Sequence, residues 1–133
     1  MRKIRVLLVD DERLYVESLA QVLHRRGFEA LFACDGEASL ALASEQDPDV
    51  VVLDLRMPGQ DGLATLAKLR KMSPELPILL LTGHADVAGA AAALARGATD
   101  VLLKPCPVDV LIPAIENAVE RREIAFQTAG GEA

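Results

Sequence analysis

Four short polar segments, each following an apolar run, carry side chains that could bind a cation and a phosphoryl group. Asp10 and Asp11 follow the first run, Asp54 the third, Thr82 the fourth and Lys104 the fifth. Three carboxylates brought together repel one another unless a cation neutralises them. Because the set offers oxygen ligands and no His or Cys, it favours a hard ion, and a shallow site that keeps water suits Mg²⁺ better than Ca²⁺.

The other two side chains suit the oxygens of a phosphoryl group. Lys104 supplies a point charge and Thr82 a hydroxyl donor. A carboxylate nucleophile, a metal, a cation and a hydroxyl are the parts needed to form an aspartyl phosphate. Taken singly, each segment has a plainer explanation, such as a helix cap for Asp10 and Asp11 or a turn for Thr82. Their joint occurrence favours phosphoryl chemistry.

The elements that must position these residues alternate along the chain. Runs rich in β-branched residues or leucine predict strands at 4–9, 29–33, 50–53, 78–81 and 101–103. Helical patterns occupy the intervals, and the last is predicted from about 108 to 127. Three strands are apolar nearly throughout, which is typical of a parallel sheet covered on both faces. We therefore predict an α/β fold, a doubly wound (βα)₅ sandwich with parallel strand order 2-1-3-4-5.

This topology predicts one shared site for the polar segments. Ligands of open α/β sheets bind outside the carboxyl ends of the strands, where the strand order reverses, which is here between the first and third strands. The polar segments follow the first, third, fourth and fifth strands. We therefore expect Asp10, Asp11, Asp54, Thr82 and Lys104 to meet at this edge.

Composition limits the classes of function. The 133 residues suit one domain, and with 51% apolar but only 3% aromatic residues the core must be aliphatic. The net charge of −6 predicts no binding of nucleic acid by this domain alone and no membrane association. No apolar stretch reaches spanning length and no signal peptide is evident, so a cytoplasmic location is the default expectation.

Residues 1–127 are predicted to form the domain, and residues 128–133 a flexible C-terminal tail or the start of a linker. Cys34 and Cys106 are predicted to be free thiols. The predicted strand order places them at opposite edges of the sheet, too far apart for a disulfide.

Four segments resemble the receiver domain of two-component response regulators, over about residues 4–122. They are Leu8-Val9-Asp10-Asp11-Glu12, the segment from Leu53 to Gly62, Leu81-Thr82-Gly83-His84, and the segment from Gly97 to Pro105. The resemblance implies a flavodoxin-like fold and phosphotransfer from a sensor histidine kinase or a phosphotransfer protein. It also implies self-phosphorylation and autodephosphorylation only, and no other enzymatic activity.

The resemblance also implies a role for each site residue. Asp54 resembles the phosphoacceptor, Thr82 the hydroxyl that follows the phosphoryl group, and Lys104 its charge partner, followed by a cis bond to Pro105. The implied Mg²⁺ ligands are Asp54, Asp11 directly, Asp10 largely through water, and the backbone carbonyl of Arg56. Arg56 and His84 flank the expected path of the hydrolytic water, so we predict a slow decay of the phosphorylated state.

The expected output surface is the face made by the fourth helix, fifth strand and fifth helix, which is also a candidate homodimer surface. Val101 stands where the family usually has Tyr or Phe, so the usual aromatic relay to this face cannot operate. The alternative function is therefore a receiver-like protein-interaction module with impaired phosphorylation switching. A phosphatase of the haloacid dehalogenase type fits less well, because Arg56 stands where that family has a second acid.

Overall fold

The computed structural model describes residues 2–57, 59, 61–83 and 86–131, with side chains up to Phe126. Five strands alternate with five helices along the described chain. The elements are β1 (Arg5–Val9), α1 (Arg13–Arg25), β2 (Glu29–Ala33), α2 (Gly36–Gln46), β3 (Val50–Leu53), α3 (Gly62–Met72), β4 (Ile78–Thr82), α4 (Val87–Ala95), β5 (Asp100–Leu103) and α5 (Val108–Gly131).

The strands form one parallel sheet in the order β2-β1-β3-β4-β5. This confirms the predicted flavodoxin-like (βα)₅ fold. The register pairs Val9 with Leu53, the last residues of β1 and β3. Thr82, the last residue of β4, pairs with Leu103, the last residue of β5. Because these strands end level with one another, the residues that follow them lie side by side.

Helices cover both faces of the sheet. Alternate residues of one strand point to opposite faces, so Leu8 of β1 joins one apolar cluster and Leu7 the other. The first cluster includes buried residues of α1 and α5, such as Leu23 and Leu111. The second includes buried residues of α3 and α4, such as Leu66. The central strands are buried on both faces, which explains their nearly continuous apolar sequence.

One arginine connects the end of α3 to the turn after α4. The Arg70 guanidinium donates to the carbonyls of Ser73, Pro74 and Leu76, at 3.3, 2.9 and 2.6 Å. It also donates twice to the carbonyl of Gly97, at 3.2 and 2.6 Å. Gly97 has a φ of +107°, a conformation that favours glycine. These bonds fix the C-terminal end of α4 against α3.

The last helix extends beyond its predicted end. It begins at Val108, as predicted, includes Pro113, and continues to Gly131 instead of ending near residue 127. The tail predicted at 128–133 stays a prediction, and its last two residues lie outside the described residues.

Cys34 and Cys106 are free thiols, as predicted. None of the helices in the described ranges has the length and apolar character that crossing a membrane requires.

Candidate functional site

Backbone hydrogen bonds hold the predicted site residues at the carboxyl edge of the sheet. The Asp10 amide donates to the Ala33 carbonyl at 3.1 Å, and the Asp54 amide donates to the Val9 carbonyl at 2.9 Å. The Lys104 amide likewise donates to the Thr82 carbonyl at 2.8 Å. The sheet hydrogen bonding therefore continues to the first residue after β1, β3 and β5.

The three predicted acids form one cluster. Asp10, Asp11 and Asp54 each present a carboxylate oxygen within 4.8 Å of the others. Asp10 and Asp54 are only 4% and 5% exposed, whereas Asp11 is more open to solvent. Carboxylates this close together disfavour one another's charged form, so the cluster is suited to a hard cation.

Lys104 joins two of these acids. Its Nζ donates to Asp10 Oδ2 at 2.6 Å and to Asp54 Oδ2 at 3.0 Å. Burial by itself would lower the pKa of Lys104, but the hydrogen bonds and charges of the two carboxylates outweigh it and raise the pKa. The ammonium group is therefore charged at neutral pH. As expected, the bond between Lys104 and Pro105 is cis.

Asp54 is held in an environment that disfavours its charge. Burial raises the pKa of its carboxyl group, and the charge of Asp10 adds to the effect. The Arg56 amide, which donates to Asp54 Oδ1 at 2.9 Å, and the Lys104 ammonium oppose the shift but do not cancel it. A bound cation would relieve the remaining cost.

Asp10 does not serve as a cap of α1. The N-cap position is Glu12, and no side chain caps it. Asp10 Oδ1 instead accepts a hydrogen bond from the Glu12 amide at 3.0 Å, within the turn before the helix. The bond orients the carboxylate of Asp10 and leaves its other oxygen to Lys104. The simpler explanation of this acidic pair as a helix cap therefore fails.

The Thr82 hydroxyl is fully buried at the end of β4. Thr82 is 0% exposed, and its Oγ1 has no hydrogen-bond partner among the residues that the structure describes. A buried hydroxyl without a partner costs about 1 to 3 kcal/mol. An oxygen-rich ligand at the edge of the sheet could accept this hydrogen bond.

The loop after Asp54 approaches the start of α3 closely. An added Cβ at Gly62 would lie 2.5 Å from the Leu55 carbonyl oxygen and 2.7 Å from its Cα. Asp61 caps α3 by accepting hydrogen bonds from the amides of Leu63 and Ala64.

The Arg56 side chain is exposed, and the predicted role of its backbone carbonyl as a metal ligand stays a prediction. Within the predicted motifs, Pro58, Gln60 and His84 lie outside the described residues.

One residue near the site was not predicted from the sequence. Tyr15 of α1 places its ring beside Lys104, with Nζ 5.0 Å from the ring centroid. Burial raises the pKa of Tyr15. Its sequence signal is weak: it is the only tyrosine in the chain, and it follows Asp11 by four residues.

Residues 6–116 match the family described as the response regulator receiver domain. The chain is 35% identical over 122 residues to the C4-dicarboxylate transport transcriptional regulatory protein DctD of Rhizobium meliloti (strain 1021), covering 92% of this chain and 26% of that protein. It is 39% identical over 130 residues to the response regulator MprA of Mycolicibacterium vanbaalenii, covering 98% of this chain and 56% of that protein. The chain thus spans between about a quarter and just over half of these curated relatives.

Solved structures agree with this match. NtrX from Brucella abortus, solved in complex with ATP, superposes with a TM-score of 0.90 at 34% identity, over 96% of this chain and 29% of that chain. A response regulator receiver domain protein from Clostridium thermocellum superposes with a TM-score of 0.86 at 31% identity, over 92% of this chain and 98% of that chain.

Proposed function

Because this chain belongs to the response regulator receiver domain family, we propose that it accepts a phosphoryl group on Asp54, with Mg²⁺, in a cytoplasmic two-component system. The proposed donor is a sensor histidine kinase or a phosphotransfer protein. Phosphorylation would then switch an interaction surface. We propose no catalysis beyond self-phosphorylation and autodephosphorylation.

The observation that carries this proposal is the arrangement around Asp54. Its carboxylate lies beside two further acids, is bonded to Lys104, and shares the edge of the sheet with the Thr82 hydroxyl, which has no partner in the described part of the chain. An ion pair made only for stability needs neither the extra acids nor a buried unpaired hydroxyl. A phosphoryl group with a cation would use all of them.

The residues present fit a magnesium ion. The carboxylates of Asp10, Asp11 and Asp54 supply oxygen ligands in a site open on the side of Asp11. We propose the backbone carbonyl of Arg56 as a further ligand. When bound, the ion cancels the repulsion between an attacking carboxylate and a phosphoryl dianion.

The protein's own groups then have separate roles. An oxygen of Asp54 forms a bond to phosphorus while the bond from phosphorus to the donor atom breaks, and the leaving group keeps the electron pair. The carboxylate attacks in its charged form, so it has no proton to lose. Lys104 transfers its hydrogen bonding from the carboxylates to a phosphoryl oxygen, and Thr82 donates to another.

The experiment that tests this proposal is labelling with acetyl phosphate and Mg²⁺, followed by electrophoresis that retards phosphorylated protein. We expect a shifted band in the wild type and none in Asp54→Asn, because the amide is no nucleophile. EDTA should also abolish the band, because the repulsion between carboxylate and phosphoryl group is then uncompensated. Asp109→Asn, which changes a carboxylate whose side chain is 87% exposed, serves as the matched control.

A shifted band in Asp54→Asn would contradict the assignment of Asp54, and a band undiminished by EDTA would contradict the role of the metal.

The alternative function, a protein-interaction module with impaired phosphorylation switching, rests on Val101 alone. Val101 is half-buried and packs against the second apolar cluster, the one that includes buried residues of α3 and α4. Such a module would give no shifted band in the wild type.

A further inference from the structure

Tyr15 stands between the acidic cluster and the surface beside β5. Its ring is half-buried and packs against the apolar cluster that includes α1 and α5. It lines one small cavity together with Asp10 and Asp54, and an outer pocket together with Lys104 and Cys106. One ring therefore borders both the carboxylates and the side chain that bridges them.

The ring also contacts the charge of Lys104. The Nζ atom lies 5.0 Å from the ring centroid, inside the limit of about 6 Å for a cation–π interaction. Lys104 is mostly buried, with 21% of its side chain exposed, so water competes little for the ammonium group. Desolvation of this kind strengthens a cation–π interaction.

The carboxylates alone cannot hold Lys104 through the proposed reaction. Both of its described hydrogen bonds go to Asp10 and Asp54, which are also the proposed metal ligands and phosphoacceptor. Lysine reaches its partners on a flexible four-carbon stem. While its hydrogen bonds pass from the carboxylates to a phosphoryl oxygen, a partner outside that exchange can keep the ammonium group in place.

We propose that Tyr15 is a positioning residue for Lys104, whose ring holds the ammonium group in the pocket while its carboxylate partners change. The role in phosphorylation rests on the proposed function, whereas the contact itself does not. The role needs the aromatic face and not the hydroxyl, so phenylalanine should serve in its place.

The first test measures the contact in metal-free protein. Urea unfolding is compared for the wild type, Tyr15→Leu, Lys104→Met and the double variant, all in EDTA. Such a cycle isolates the term between two residues. We expect Tyr15→Leu to shift the unfolding midpoint less in the Lys104→Met background than in the wild type. Equal shifts in both backgrounds would mean that Tyr15 only fills the core, and would overturn the proposal.

The second test measures the initial rate at which acetyl phosphate labels Asp54 in saturating Mg²⁺. We expect Tyr15→Leu to label about fivefold more slowly than the wild type, and Tyr15→Phe to restore the rate. Leu14→Ala changes the neighbouring residue, which is 82% exposed, and should label like the wild type.

An unchanged rate in Tyr15→Leu, or a rate in Tyr15→Phe as low as in Tyr15→Leu, would overturn the positioning role. A wild type that takes no label would contradict the proposed function instead. The metal-free cycle would still decide whether the ring and Lys104 interact, so the two failures can be told apart.

Discussion

The charges around Asp54 do not balance within the described site. Lys104 bonds two of the three clustered carboxylates, and Asp11 remains on the open side. The raised pKa of Asp54, caused first by burial, shows that one ammonium group does not compensate the site. A second cation bound beside Asp11 would complete the compensation, which supports the proposed magnesium ion beside the lysine.

Arg56 is predicted to slow the loss of the phosphoryl group. Its backbone amide is fixed to Asp54, while its side chain is exposed and free to cover the pocket. A guanidinium laid along a phosphoryl dianion stabilises it and obstructs the water that would hydrolyse it. We expect Arg56→Ala to decay several-fold faster, roughly fivefold for an interaction of about 1 kcal/mol. Release of phosphate from labelled protein measures the rate.

Arg25→Ala removes an exposed arginine from the far end of α1 and is the matched control for this decay measurement. If Arg56→Ala and the control decay alike, Arg56 does not shield the acyl phosphate. The same prediction for His84 concerns a residue outside the described ones, and it stays a prediction.

The acids, the threonine and the lysine could be identified from the sequence because each lies at or just after the end of an apolar strand. Parallel strands deliver such residues to one edge, so sequence position predicts proximity there. Tyr15 lacks this signal. Its partner Lys104 follows β5, far along the chain, and their contact depends on how the two side chains pack at the edge of the sheet. The spacing of residues along the chain does not predict that side-chain contact.

At the level of elements, Gly62 is predicted to be essential to the loop that follows Asp54. An added Cβ would meet the Leu55 backbone at 2.5 Å, and backbone atoms cannot move aside as a flexible side chain can. We expect Gly62→Ala to lower the free energy of unfolding by about 1 to 3 kcal/mol. It should also weaken Mg²⁺ binding, because the loop carries Arg56.

Urea unfolding and calorimetric titration with Mg²⁺ check this prediction. Gly83→Ala is the matched control for stability, because a Cβ there would meet no atom within 4 Å among the described residues other than its chain neighbours. Equal stability of the two variants would mean that the loop adapts to the added methyl group.

Strands were more predictable than helix ends. Their apolar runs are bounded by polar residues, so the predicted limits agree with the structure to within one residue. Helix α2 is an example, because its apolar sequence pattern covers only 38–43 whereas the helix spans Gly36–Gln46. Asp35 caps its start by accepting from the Ala38 amide, and Asp47 ends it in a left-handed conformation with a φ of 48°. Capping of this kind depends on backbone geometry, which hydrophobic periodicity does not report.

At the level of the whole molecule, the proposed homodimer surface carries exposed apolar side chains on all three of its elements. Leu94 of α4, Leu103 of β5 and Val110 of α5 are each about half exposed. Apolar residues gathered on one face favour association. We expect beryllofluoride, which stands in for the phosphoryl group, to raise the dimer fraction in light scattering after size exclusion. Leu103→Glu should prevent this increase.

Ile124→Glu, which places the same charge on an exposed apolar position of α5 away from β5, is the control for solubility. A dimer fraction that does not respond to beryllofluoride would mean that phosphorylation does not change association through this surface. A response retained in Leu103→Glu would place the dimer contact elsewhere.

Helix α4 is predicted to carry the switch by moving at one end only. It buries just Ala90 and Ala93, so few contacts oppose its displacement. Its C-terminal end is tied to α3 because Arg70 bonds the Gly97 carbonyl. Its N-terminal end follows β4 closely and has no side-chain cap. Movement of Thr82 towards a phosphoryl group should therefore pull the N-terminal turn while the other end serves as a pivot.

Amide chemical shifts with and without beryllofluoride test this pivot. We expect larger changes from Val87 to Ala90 than at Gly97, with Val101 taking part through its packing against the cluster under α4. In Arg70→Met the anchor is lost, so the changes should spread to Gly97. Changes confined to the metal pocket would show that Thr82 does not drive α4. An end of α4 held by Arg70 cannot shift as far as a free end. Equal changes at both ends in the wild type would therefore contradict the pivot and show that the helix moves as a rigid unit.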